Sequence, residues 1–91
     1  MAWTIKYDPR TEKELRKIGP RAARQIRDFL RDRIAALNDP RQLGYTLKGP
    51  LSQFWRYRVG DYRVLCEIQD AALIVLVVRV ADRKEAYDWR P

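Results

Sequence analysis

The stretch Trp55-Arg56-Tyr57-Arg58-Val59-Gly60-Asp61-Tyr62-Arg63-Val64 constrains the fold more tightly than any other part of the chain. Apolar and basic residues alternate up to Gly60-Asp61 and resume the alternation beyond it. That is the pattern of two strands joined by a two-residue hairpin, with Gly supplying the positive φ at the first turn position of a type II′ turn. In that register Val59 faces Tyr62 and Arg58 faces Arg63. Side chains alternate across a strand. Trp55, Tyr57, Val59, Tyr62, Val64, Cys66 and Ile68 therefore share one face, and Arg56, Arg58 and Arg63 share the other with Leu65 and Glu67. The apolar face needs a covering layer.

The remainder of the chain provides that layer. Trp3 to Tyr7 alternates and reads as a half-buried strand. Asp8-Pro9 offers an N-cap followed by proline at the first helical position, and the helix it starts runs to about Ile18. Gly19-Pro20 breaks that helix and begins another. Ile26, Leu30, Ile34 and Leu37 form one apolar stripe along the second helix, which ends at Asn38-Asp39-Pro40. Residues 40–50, with Leu47-Lys48-Gly49, read as a connecting loop. Strands are predicted over 54–59, 62–68 and 73–80. The last is almost continuously aliphatic, as expected of a central strand covered on both faces. The tail from Arg83 to Trp89 reads as a turn of helix or an extended end. The fold class is α+β in the order β-α-α-β-β-β, with two N-terminal helices on one face of a mostly antiparallel four-stranded sheet. A length of 91 residues suits a single domain spanning the whole chain.

Composition narrows the chemistry. Lys and Arg total 19 against 12 Asp and Glu, a net charge of +7, which favours an anionic partner: nucleic acid, an acidic protein or an anionic membrane surface. With one Cys and no His, no internal disulfide, ordinary zinc site or histidine base can be assembled. Neither a metal nor a cofactor is expected. Cys66 lies in an apolar run and reads as a buried structural thiol. The longest apolar run, Ala71 to Val78, is too short to span a bilayer, and Met1-Ala2-Trp3 shows no leader pattern, so a soluble cytoplasmic protein without membrane contact is expected.

The arginine face carries a cost. Like charges opposite one another on a sheet are destabilising, and Glu67 alone cannot balance them. Two accounts are open. The arginines could pair with Glu12, Glu14, Asp82 or Glu85, or they could grip phosphate, for which the planar guanidinium fork is suited. Confinement to one face favours phosphate, most naturally that of RNA. Arg24, Arg27 and Arg31 on the second helix read as an ordinary solvated face. Tyr87 offers either a ring on which a base could stack or a lid on the sheet edge. Trp89 reads as a packing residue.

Three motifs, Leu47-Lys48-Gly49, Trp55 to Arg63 and Arg83-Lys84-Glu85-Ala86-Tyr87, together resemble the RelE/ParE superfamily of bacterial toxins, and within it the RelE-like ribonuclease branch. The resemblance implies the RelE-like microbial ribonuclease fold and an endoribonuclease that cuts mRNA in the ribosomal A site. It implies attack by the RNA 2′-hydroxyl on the adjacent phosphodiester, without metal. Arg56 and Arg58 would lie beside the scissile phosphate. Arg63 would stabilise the pentavalent transition state, Arg83 would act near the leaving 5′-oxygen, and Tyr87 would orient or stack on a base. Lys48 and Lys84 join Arg56 and Arg58 as RNA-binding candidates. An acidic, RelB-like antitoxin would hold the toxin inactive. The family's best-studied arrangement has lysines where this chain has Arg56 and Arg58, and an arginine effectively cannot accept a proton. The general base stays open among Lys48, Lys84, Glu67, Glu85 and Tyr87. The ParE branch, which poisons DNA gyrase, and a non-catalytic RNA-binding domain are the alternatives.

Overall fold

Each element begins where the local sequence permits. In the computed structural model, which describes residues 2–87 and Trp89, the first strand is β1, Thr4–Tyr7. The Asp8 carboxylate then accepts from the Arg10 N–H at 2.9 Å and, with Pro9 behind it, opens α1, Pro9–Ile18. Gly19 at φ 95° ends α1, and Pro20 starts α2, Pro20–Phe29. The second helix does not run on as α-helix to Leu37. A π turn, Leu30–Ile34, closes it, with the Ala35 N–H donating to the Leu30 carbonyl at 2.9 Å. The cause lies in the apolar stripe. Steps of four residues overshoot a 3.6-residue turn, and the wider π turn lets Leu30 and Ile34 both stay fully buried beside Ile26.

The sheet is five-stranded rather than four-stranded, in the order β1-β5-β4-β3-β2. The additional strand, β2, is the pair Tyr45–Thr46 inside the segment predicted as loop. Beyond it lie β3, Trp55–Val59, β4, Tyr62–Gln69, and β5, Ile74–Asp82. A short helix α3, Arg83–Tyr87, follows. The hairpin has the predicted register, Val59 opposite Tyr62 and Arg58 opposite Arg63, and Gly60 takes φ 58°. The aliphatic strand β5 is interior, yet β4 holds the middle of the sheet. The reason is that β1 adds in parallel to the far edge of β5, while β3 and β2 extend the sheet on the side of β4.

The helices cover the predicted face. Tyr57, Val64, Cys66, Val75 and Val77 are wholly buried against Leu15, Ile26, Leu30 and Ile34. The opposite face is not bare. Leu65, Ala81, Ala86 and Trp89 form a smaller core with Leu47, Leu51, Phe54 and Val78, so the 47–54 segment and the tail cover the middle of that face. A register shift between Leu65 and Cys66 sets Leu65 against Arg79 and Cys66 against Val77. The ladder between β1 and β5 ends at Val77, and α1 covers the freed edge. Thr11 donates its hydroxyl to the Val77 carbonyl at 2.8 Å, and the Glu14 carboxylate accepts from the Val80 N–H at 2.8 Å and from Arg79 Nε at 3.0 Å.

Candidate nucleic-acid interface

The part of the outer face left open at the hairpin end is a cleft of about 550 Å³ lined by Tyr45, Arg56, Arg63, Arg83, Lys84 and Tyr87. Its walls come from four elements. Arg56 stands on β3 and Arg63 on β4, both on the face opposite the helices. Arg63 is steadied by its own turn, its Nη1 donating to the Tyr62 carbonyl at 2.9 Å and the Gly60 carbonyl at 3.2 Å. Arg83, Lys84 and Tyr87 are carried by α3. That helix is tied down twice: the Arg83 N–H donates to the Asp61 carbonyl at 2.8 Å, and the Glu85 N–H donates to the Asp82 carboxylate at 2.8 Å. Asp82 is thus a helix cap that holds the basic first turn of α3 against the hairpin.

Tyr45 forms the remaining wall, and its position follows from the glycine before it. Gly44 takes φ 80°, and a Cβ there would meet the Arg56 carbonyl oxygen at 2.6 Å, Trp55 Nε1 at 2.7 Å and a Tyr57 ring carbon at 2.8 Å. Only glycine lets the chain press this closely on β3. Trp55 Nε1 donates to the Leu43 carbonyl at 2.6 Å and the Tyr57 hydroxyl to the Pro40 carbonyl at 2.6 Å, which fixes the approach. Tyr45 then pairs directly with Arg56 across the strands, and the Arg56 guanidinium carbon sits 4.8 Å from the ring centroid. The Arg56 Nε is buried with no acceptor among the described residues.

The carboxylates that could have paired with the arginine face are engaged elsewhere, Asp82 as the cap of α3. Glu12 pairs with Arg27 at 3.0 Å, Glu14 with Arg79, and Glu85 stands 4.0 Å from Lys17. Glu67 accepts from the Gln69 amide at 2.9 Å. Among the described residues no acidic side chain lines the cleft and none of its cations forms an ion pair. The surface ion-pair account of the arginine face therefore finds no ion pair among the described residues. Arg27 of α2 and Arg31 of the π turn, by contrast, do form ordinary surface pairs. The cleft is an unneutralised cationic site that can hold a polyanion and, through Tyr45 and Tyr87, flat rings.

Arg56, Arg63, Arg83, Lys84 and Tyr87 are brought together; Arg58 and Lys48 are not among them. Beyond its pairing with β2, strand β3 is an edge, and the exposed Arg58 lines a separate cleft with Asp28, Asp32 and Arg33 of the α2 segment. Lys48 is exposed on the loop after β2 and outside the cleft lining. Tyr87 is 84% exposed, which removes the lid reading. Trp89 is buried in the smaller core beneath the Arg79 guanidinium, as a packing residue. Cys66 is fully buried, and burial pushes its thiol far above the ordinary value. Tyr45 was not legible as a site residue. Its signal was the Gly-Tyr pair in a segment with too little alternation to mark a strand.

Fold and cleft together define a small α+β domain presenting a cationic cleft at one end of its sheet. A family model described as "ParE toxin of type II toxin-antitoxin system, parDE" matches residues 5–87. The chain belongs to this family of type II toxin–antitoxin toxins, within the RelE/ParE superfamily. It is 26% identical over 87 residues to Toxin RelG of Mycobacterium tuberculosis, covering 96% of this chain and 98% of that protein. Toxin RelE of the same organism is 36% identical over 55 residues, 60% of this chain and 57% of the other. A chain of the toxin–antitoxin complex RelBE2 from M. tuberculosis superposes with a TM-score of 0.82 at 25% identity, covering 91% of this chain and 93% of that one. The isolated E. coli RelE toxin shares the fold, with a TM-score of 0.68 at 23% identity, over 94% of this chain and 92% of the other.

Proposed function

We propose that this toxin is an endoribonuclease that cuts mRNA in the ribosomal A site and so blocks translation. The observation that carries the reading is the cleft in which Arg56, Arg63, Arg83 and Lys84 converge, with no carboxylate among the described lining residues. Fixed cations aimed at developing phosphorane charge can be the largest catalytic contribution, and RNA brings its own nucleophile. The 2′-oxygen forms a bond to the adjacent phosphorus while the bond from phosphorus to the 5′-oxygen breaks. The products are a 2′,3′-cyclic phosphate and a 5′-hydroxyl. Arg63 and Arg56 face the non-bridging oxygens, and Arg83 faces the leaving 5′-oxygen. Arg58 and Lys48, outside the cleft, meet flanking phosphates. A base must take the 2′-proton and an acid must protonate the 5′-oxygen. Of the candidate bases, Lys84 and Tyr87 line the cleft, whereas Lys48, Glu67 and Glu85 do not. The proton transfers are therefore assigned to Lys84 and Tyr87.

The reading extends to partners. The structural neighbours include RelB–RelE antitoxin–toxin complexes. We propose that an acidic antitoxin segment covers the same cleft and pairs with its cations. The test is primer extension on a defined mRNA translated by purified ribosomes with the toxin added, where breaks confined to A-site codons are expected. The name of the matched family favours one other reading, inhibition of DNA gyrase. A supercoiling assay run in parallel decides between them: intact mRNA with loss of supercoiling overturns the ribonuclease reading.

A further inference from the structure

We propose that Tyr45 is a stacking platform for a nucleobase next to the phosphate held in the cleft, so that bases on both sides of that phosphate are read, one by Tyr45 and the other by Tyr87. The inference rests on the RNA reading of the cleft and adds to it a residue that no motif singled out. Among the described residues, the exposed large hydrophobic side chains are Tyr45, at 39%, and Tyr87, at 84%. Both line the same cleft. Every other large aromatic ring is at least partly buried, in one of the two cores. Leaving a ring in water forgoes its burial, and a protein that covers the rest of its aromatics has two uncovered where its unpaired cations converge.

Tyr45 is also held in place rather than left free. Gly44 seats its backbone against Trp55 and Tyr57, the strand register sets it opposite Arg56, and the guanidinium stacks on its ring at 4.8 Å. A ring fixed in advance loses little freedom when a base stacks on it. The stacked arginine also places a cation beside the ring, next to the point where the backbone phosphate of that base would lie. An apolar side chain seated on Tyr45 would leave these cations unsatisfied; a nucleotide satisfies ring and charge together. Base–aromatic stacking tolerates any base, so the platform sets position more than identity.

The experiment uses a short RNA with a single 2′-deoxy nucleotide that blocks cleavage and with 2-aminopurine, whose fluorescence is quenched by stacking, on one side or the other of the blocked step. It is measured free and on programmed ribosomes. The wild-type toxin is expected to quench the probe on both sides. Tyr87→Ala should release one side, Tyr45→Ala the other, and Tyr45→Phe neither. Each alanine variant should bind about tenfold more weakly. An abasic nucleotide at the Tyr45 side should weaken wild-type binding by a similar factor, a measurement that needs no variant to fold. If Tyr45→Ala quenches both sides with wild-type affinity, or the abasic RNA binds the wild type undiminished, the assignment of Tyr45 is overturned while the RNA reading stands. If the wild type neither binds nor quenches the RNA, free or on ribosomes, the RNA reading fails and this inference fails with it. Quenching abolished by an acidic antitoxin peptide in wild type and Tyr45→Ala alike is expected, since both ligands need the cations.

Discussion

Arg63 shows how one side chain can be both anchored and available. Two bonds from its Nη1 to the Gly60 and Tyr62 carbonyls fix the guanidinium over the hairpin turn, and the group still lines the cleft. A lysine keeps the point charge but loses the planar fork. Arg63→Lys is therefore expected to retain binding of a 2′-deoxy substrate within a few-fold while single-turnover cleavage falls by about 10²–10³. Wild-type cleavage in that variant would reduce Arg63 to a docking residue. The identity of Arg63 as a candidate could be read from the chain, because hairpin register follows from two turn residues. The separation of Arg58 from the cleft could not. It depends on β2 beginning only at Tyr45, opposite Arg56, which leaves the later part of β3 as an edge facing α2.

At the scale of elements, a local cap and a long-range carboxylate contact each hold a piece of the fold in place. Asp82 caps α3 and sets Arg83 and Lys84 beside the hairpin. Asp82→Ala should cost about 1 kcal/mol in denaturant unfolding, as lost N-caps do, and should lower cleavage through misplacement of α3. Asp82→Asn, which can still cap, should recover most of both. Recovery of stability without recovery of cleavage would show instead that the carboxylate charge matters. Glu14 spans a longer gap, from α1 to the freed edge of β5. Its side chain is 19% exposed and that of its partner Arg79 27% exposed. Glu14→Ala strands the Val80 N–H and the Arg79 guanidinium, so a loss of about 1–3 kcal/mol is expected, read as a lower urea midpoint at unchanged slope. An unchanged midpoint would mean that water replaces the carboxylate without penalty.

At the scale of the molecule, charge and pH behaviour follow from where groups end up. If Arg56, Arg63, Arg83 and Lys84 each neutralise a phosphate, log affinity for single-stranded RNA should fall against log salt with a slope of about −3. A flat dependence removes the phosphate-binding argument. With no His in the chain, stability should vary little around neutral pH. The alkaline side differs. Burial holds the Cys66 thiol far above its ordinary 9.0 and the Tyr57 phenol far above its ordinary 10.0, and burial raises the Tyr7 phenol despite the neighbouring Arg27. The folded state keeps protons that the unfolded chain releases. This contribution is complete below the ordinary values and is lost as pH rises past them. Melting temperature should begin to fall above about pH 9, and Cys66→Ala should move that onset up toward the tyrosine value near 10. An onset unmoved by Cys66→Ala would assign the alkaline transition to the phenols alone.

Local sequence decided the starts of α1 and α2, the hairpin with its Gly60 turn, and which side chains of β3 and β4 face the helices. Each depends on residues a few positions apart, where dihedral preference and side-chain periodicity act directly. The same locality made the arginine face legible, since alternation alone puts Arg56 and Arg63 on one side of the sheet. Tertiary structure decided the rest. Two residues, Tyr45 and Thr46, carry no readable period and become a strand only because Gly44 lets them dock on β3. The bulge in β5, the parallel partner on its far edge and the pairing of Glu14 with Arg79 depend on contacts between segments separated by dozens of residues. So does the cleft itself. Whether a basic face is neutralised depends on where every carboxylate goes, and only the packed chain sends Glu12, Glu14, Glu67 and Asp82 elsewhere.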